Sequence, residues 1–241
     1  MERRDHHDWA SESYVDEWVK RQQAEDPSRA ERFALMCDLF PFPRAAAVSI
    51  LDIGVGYGPV SLFILDRYPH ATCVGQDGSE PMLRRARNLL AKYGDRFRAH
   101  HSDLFARDWL PAELGSFDAV VSSICLHNLR SFPRIGEIYR EVRARTMPGG
   151  VFLNVALVNA PTPELEQRYG AVMAARHQRE AGTRAGVESM APRAERSLTP
   201  GTSGPFPADL AQQLAALRSA GFKDVDCFWK DLRRALFGGY A

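Results

Sequence analysis

Four short stretches hold the residues whose types and spacing could do chemistry. In "LDIGVGYG", residues 51–58, an apolar strand carrying Asp52 breaks into Gly54, Gly56 and Gly58. Glycines permit a tight turn and let a ligand approach the backbone. A helix beginning near Pro59 would aim its unpaired N–H groups at the same place. In "ATCVGQDGSEPML" a second apolar run ends in Asp77 and Gly78, about twenty residues beyond the glycines. An acidic group at that distance reaches the vicinal hydroxyls of a ribose and accepts two charge-assisted bonds. In "HHSDLF", Asp103 can accept from an exocyclic amine, and the Leu104 backbone can meet the edge of an adenine ring. In "FDAVVSSICLHNL" an apolar run ends in the small polar Ser122 and Ser123, with His127 shortly after. A dinucleotide-binding fingerprint fits poorly, because Pro59 stands where its third glycine belongs.

The elements that must position these residues alternate in type. Strand patterns run over Ser49–Ile53, Thr72–Gln76, Phe97–His101, Ala119–Ser123 and Val151–Val158, and helical patterns over Val60–Arg67, Glu80–Lys92 and Pro133–Arg145. In the last helix Ile135, Ile138, Tyr139 and Val142 form one apolar stripe, Ser131 is the N-cap, and "PGG" at 148–150 is the stop. Such alternation argues for a doubly wound α/β sheet, whose ligands sit at the carboxyl ends of the strands. Residues 1–44 read as an N-terminal extension of two helices, with Tyr14, Val15, Trp18 and Val19 on one face of the first. Residues 45–241 form the main domain. Within it, 161–207 is helical at first and then rich in Pro, Gly, Ser and Thr, as expected of a lid-like insertion. The helix "ADLAQQLAALRSAGF" precedes two strands joined by a very short turn around Asp231, hence antiparallel.

This series resembles the class I S-adenosylmethionine-dependent methyltransferases, from residue 49 to 158 and again over the C-terminal hairpin. The resemblance implies a Rossmann-like seven-stranded sheet of order 3-2-1-4-5-7-6 with strand seven antiparallel. It implies S-adenosyl-L-methionine as cofactor, with Asp52 and the loop of Gly54, Gly56 and Gly58 at its methionine part. Asp77 would hold the ribose, with Gly78 and Met82 beside it, Asp103 and Leu104 would read the adenine, and Ser122 and Ser123 would flank the sulfonium. Tyr14 and Trp18 would cover the cofactor. His127, after the fourth strand, is the candidate general base, since imidazole titrates near neutral pH. The same cofactor motifs would also serve cyclisation, another group transfer, or binding without turnover.

Charge and composition narrow the partners. The formal net charge is +1, with 45% hydrophobic and 25% charged residues. That balance predicts no broad attraction to nucleic acid or to an anionic membrane and leaves a small-molecule acceptor. No apolar run reaches the roughly 18 residues of a membrane span. The N-terminus "MERRDHHDWA" lacks the apolar core of a secretory signal. Cys37, Cys73, Cys125 and Cys227 are far apart and form no C-x-x-C pair, which suggests reduced thiols in a cytoplasmic protein. No metal site is expected, because neither His6–His7 nor His100–His101 has partners at ligand spacing. No pattern in the chain speaks to oligomeric state.

Overall fold

Alternate residues of the strand at 49–53 face opposite sides of one sheet. Ile50 packs with Ile64, Leu65 and Met36 on one side, whereas Leu51 packs with Ile138, Tyr139 and Leu217 on the other. That period-two division puts the sheet between two helical layers. A computed structural model describes residues 8–25, 29–183 and 205–241. The strands are β1 (Ser49–Ile53), β2 (Thr72–Asp77), β3 (Phe97–His101), β4 (Phe117–Ser123), β5 (Thr146–Leu157), β6 (Lys223–Asp231) and β7 (Arg234–Tyr240). They lie in the order β3-β2-β1-β4-β5-β7-β6. The first five are parallel, and β7 runs antiparallel to both β5 and β6. This is the Rossmann-like order expected.

The helices are α1 (Glu12–Glu25), α2 (Arg29–Asp38), α3 (Pro59–Arg67), α4 (Glu80–Leu90), α5 (Phe132–Arg145), α6 (Pro163–Thr183) and α7 (Leu210–Ser219). Their starts are written in local chemistry. Ser79 caps α4 by accepting from Met82 N–H, Ser131 caps α5 by accepting from Arg134 N–H, and Asp209 with Gln212 forms a full capping box on α7. The α5 stripe is buried as its spacing predicts: Ile135, Ile138, Tyr139 and Val142 are all 0% exposed, a burial that contributes about 1.5–3 kcal/mol per large apolar side chain.

Three expectations change in detail. Helix α4 stops at Leu90, and a 3-10 stretch over Ala91–Arg96 carries the chain to β3. The "PGG" stretch does not stop α5, which ends at Arg145 with Thr146 as its C-cap. It belongs instead to the first half of β5. The strand needs glycine there because a Cβ at Gly150 would stand 2.5 Å from the Asp118 carbonyl oxygen. In the proposed insertion, α6 lies against the β6–β7 hairpin: Glu166 pairs with Arg233, and Arg176 with Asp231 at 2.6 Å. Residues 184–204, the Pro/Gly-rich half of the expected lid, lie outside the described residues. Where the chain returns, the Asn159 side chain accepts from Phe206 N–H at 2.8 Å and donates to the Phe206 carbonyl at 2.7 Å, so the two ends of the whole 161–207 stretch meet beside β5. Among the described residues, no helix is long and apolar enough to cross a membrane.

Candidate functional site

The carboxyl ends of four neighbouring strands, β3, β2, β1 and β4, open into a cavity of about 540 Å³, a size suited to a ligand of nucleoside-conjugate dimensions. Gly54 and Gly56 line it from β1, Asp77, Gly78 and Ser79 from β2, His101, Asp103, Leu104 and Phe105 from β3, and Ser123 through Arg130 in part from β4. Met82 of α4 and Trp9 and Trp18 from the N-terminal segment complete the wall.

Asp77 organises the centre. Its Oδ2 accepts from Gly56 N–H at 2.8 Å and its Oδ1 from Ser79 N–H at 2.8 Å, so one carboxylate ties the glycine turn to the start of α4. Burial raises its pKa, and these backbone bonds oppose the rise. The turn itself needs glycine for two different reasons. At Gly54, with φ 68°, a Cβ would collide with Cys125 Sγ at 2.2 Å. At Gly56, with φ 56°, a Cβ would meet nothing within 4 Å and would point into open space on the cavity wall. That bare backbone is a cradle which any side chain would fill.

The β3 end is held from below. Asp103 Oδ1 accepts from Phe105 N–H at 2.9 Å, and the Leu104 carbonyl accepts from Arg134 Nε of α5 at 2.7 Å. At the β4 end the chain turns sharply. Ile124 has φ 56°, a strained value for a β-branched residue, and is held by its N–H bond to the Val155 carbonyl at 2.7 Å. Asn128 Nδ2 donates to the Ile124 carbonyl at 3.2 Å. Burial pushes the Cys125 thiol well above its ordinary pKa, so it stays protonated.

The expected site residues divide. Trp18, Gly54, Gly56, Asp77, Gly78, Met82, Asp103, Leu104 and Ser123 come together on the cavity, whereas Tyr14, Asp52, Gly58, Ser122 and His127 do not line it. Tyr14 stands behind the wall, edge-on to Trp9 at 5.3 Å between ring centres. Asp52 is 1% exposed and faces away beneath the turn, accepting from Ser61 Oγ at 2.7 Å, and its burial pushes its pKa up to about 7. Gly58, at φ 96°, packs against Leu90 of α4. Ser122 Oγ donates to the Ile53 carbonyl inside the sheet. His127 requires the plainest correction. It is 5% exposed, its Nδ1 accepts from Leu157 N–H at 3.4 Å, and its ring meets Phe206 edge-on. The short 3-10 turn over Leu126–Leu129 points it back into the protein instead of toward the cleft.

Two residues beyond the sequence-based expectations shape the site, Trp9 on its wall and Gln76 away from the wall. Trp9 is fixed because its carbonyl accepts from Ser79 Oγ at 2.5 Å, a contact across 70 residues that no local pattern signals. Gln76, 1% exposed, accepts from Gly54 N–H and donates to the Ser102 carbonyl at 2.7 Å, which staples the turn to the β3 end. A polar residue inside the apolar second strand was its available signal.

Comparison with known proteins agrees with this geometry. A family model described as a methyltransferase domain matches residues 50–150. The chain is 35% identical over 102 residues to the demethylmenaquinone methyltransferase of Thermus thermophilus, covering 42% of this chain and 43% of that protein. It is 30% identical over 182 residues to the malonyl-[acyl-carrier protein] O-methyltransferase of Geobacter sulfurreducens, covering 76% of this chain and 58% of that one. The chain thus spans about half the length of these relatives. The solved S-adenosylmethionine-dependent methyltransferase SibL, in its apo form, shares the fold with a TM-score of 0.62 at 18% identity, over 95% of this chain and 61% of that one. Strand order, the glycine turn between β1 and α3, and the matched stretch converge: residues 50–150 match a methyltransferase domain, and the sheet has the fold of a solved S-adenosylmethionine-dependent methyltransferase.

Proposed function

We propose that this chain binds S-adenosyl-L-methionine and catalyses methyl transfer to a small-molecule acceptor. The observation that carries the reading is the single cavity spanning the β3, β2, β1 and β4 ends, with Asp77 bridging Gly56 and Ser79 at its centre. The residues suit the group. Asp103 and Leu104 would take the adenine, Asp77 the ribose, and the bare Gly56 backbone the chain beyond it. Sheet order then sets the direction: a ligand anchored at β3 and β2 extends over β1 toward β4. Ser123, Ile124, Asn128, Leu129 and Arg130 therefore flank the acceptor. Ile124 and Leu129 are apolar, Ser123 and Asn128 are polar, and exposed Arg130 offers a positive charge to an anionic acceptor.

When bound, the cofactor supplies a methyl group activated by its sulfonium. The chain's own task is to align the acceptor and exclude water, which Trp9, Trp18 and Met82 do by walling the cavity. Since His127 faces away, the proposal assigns no general base and rests on orientation. The net charge of +1 supports a small acceptor over nucleic acid, and four free cysteines support a reducing cytoplasmic compartment.

The test is mass spectrometry of metabolite extract incubated with the chain and methyl-labelled S-adenosylmethionine. Labelled product with S-adenosylhomocysteine is the expected outcome. Methylthioadenosine would point to a different group transfer, and binding without any product would leave a binding protein. As a control, Asp77→Ala should weaken S-adenosylhomocysteine by roughly 1.5–3 kcal/mol, the usual worth of bonds to a charged group.

A further inference from the structure

Behind the β3 end of the cavity lies a polar network that nothing in the binding role of the wall itself accounts for. Arg134 of α5 has only 11% of its side chain exposed. Its Nε donates to the Leu104 carbonyl at 2.7 Å and its Nη2 to the Ala106 carbonyl at 3.4 Å. Its other face is fixed by a two-point pairing with Glu141, at 2.8 and 3.2 Å. Glu141 is itself anchored, accepting from Trp109 Nε1 at 2.5 Å, and Trp109 is 1% exposed. The planar fork of an arginine holds both partners at fixed angles, which a lysine cannot do.

The consequence reaches the cavity through one peptide unit. The Leu104–Phe105 peptide has its carbonyl on Arg134 and its N–H on Asp103 Oδ1. Both ends of the unit are therefore locked, and the Asp103 carboxylate is aimed by a bond whose other side rests on α5. The two oxygens of a carboxylate offer about four acceptor sites, so Asp103 can take a ligand amine beside its bond from Phe105. A carbonyl offered in place of that amine would face a carboxylate and lack any bond.

We infer that Arg134 is a positioning residue for purine selection: by holding the Leu104 carbonyl it orients Asp103 and Leu104 to accept an amino-bearing purine and reject an oxo-bearing one. The inference rests on reading the cavity as an S-adenosyl site.

The experiment is calorimetric titration of the full chain with S-adenosylhomocysteine and with its hypoxanthine counterpart, S-inosylhomocysteine. Wild type should prefer the adenine ligand by about tenfold or more, since unpaired buried polar groups discriminate strongly. Arg134→Ala should weaken the adenine ligand about tenfold, leave the hypoxanthine ligand nearly unchanged, and so bring the preference below about threefold. Glu141→Gln, which keeps the arginine but loosens its fork, should give an intermediate preference and serves if Arg134→Ala fails to fold. An equal loss for both ligands in these variants, with the preference intact, would overturn the inference while leaving the site standing. Wild type that binds neither ligand would overturn the site reading and the inference together.

Discussion

At the scale of single residues, neighbouring glycines with similar backbone angles have opposite jobs, and substitution separates them. Gly54→Val should cost stability, because its Cβ would overlap Cys125 Sγ at 2.2 Å, between two strand ends with little freedom to part. Gly56→Val has open space around its Cβ, so its folded-state cost is the positive φ alone, about 1–2 kcal/mol. Thermal unfolding should show the larger drop for Gly54→Val, and titration of folded Gly56→Val should show S-adenosylhomocysteine binding lost. Normal binding by Gly56→Val would mean that the ligand does not lie on that turn. His127 gives the complementary case. With Nδ1 accepting from Leu157 N–H and its ring edge-on to Phe206, His127→Ala should lower stability by about 1–3 kcal/mol through an unsatisfied amide and a lost contact. Turnover of the folded variant should stay within about threefold at every pH. A pH-dependent loss of about a hundredfold or more would restore the general-base role.

At the scale of elements, what the sequence made legible was whatever depends on local pattern. The five parallel strands, the C-terminal hairpin and the Ser131 cap follow from periodicity and turn chemistry, and so does the assembly of Gly54, Gly56, Asp77 and Asp103 at one end of the sheet. What stayed hidden is set by contacts distant in the chain. No pattern says that an isoleucine will take φ 56° and rotate the β4 end, yet that rotation brings Ile124 and Cys125 to the wall, while the 3-10 turn that follows takes His127 away. Nor could helical spacing separate Tyr14 from Trp18, since both lie on the inner face of α1. Their packing does: Val15 with Tyr57 and Met82 forms the seat, Trp18 reaches the cavity, and Tyr14 supports Trp9 from behind the wall. The exposed pairs of Glu12 and Asp16 with Arg84 and Arg85 contribute roughly 0.2–1 kcal/mol each, so the apolar seat holds the helix. Trp18→Ala should therefore weaken S-adenosylhomocysteine several-fold more than Tyr14→Ala does. Equal effects in calorimetry would show that α1 acts only as a generic cover.

At the scale of the whole molecule, stability and pH are linked through a carboxyl that never touches the cavity. Asp52 sits in the sheet beneath the glycine turn, with Ser61 of α3 as its hydroxyl donor and no route to water. Desolvation raises its pKa to about 7, with the nearby Asp77 carboxylate adding to the rise and the Ser61 bond opposing it. In the unfolded chain the same group returns to about 3.9. Between those values the folded state binds the extra proton, so stability must fall as pH climbs from about 4 to 7 and level off above, the reverse of a salt-bridged aspartate. Asp52→Asn keeps an oxygen for Ser61 and removes the titration. Measured by thermal unfolding, the variant should gain on wild type from pH 5 to about pH 7 and then level off, and other titrating groups, shared by both proteins, drop out of the difference. A difference that stays constant over that range would mean that Asp52 is already charged at pH 5 when folded. The turn above it would then be held by an ionised carboxylate at the N-terminus of α3.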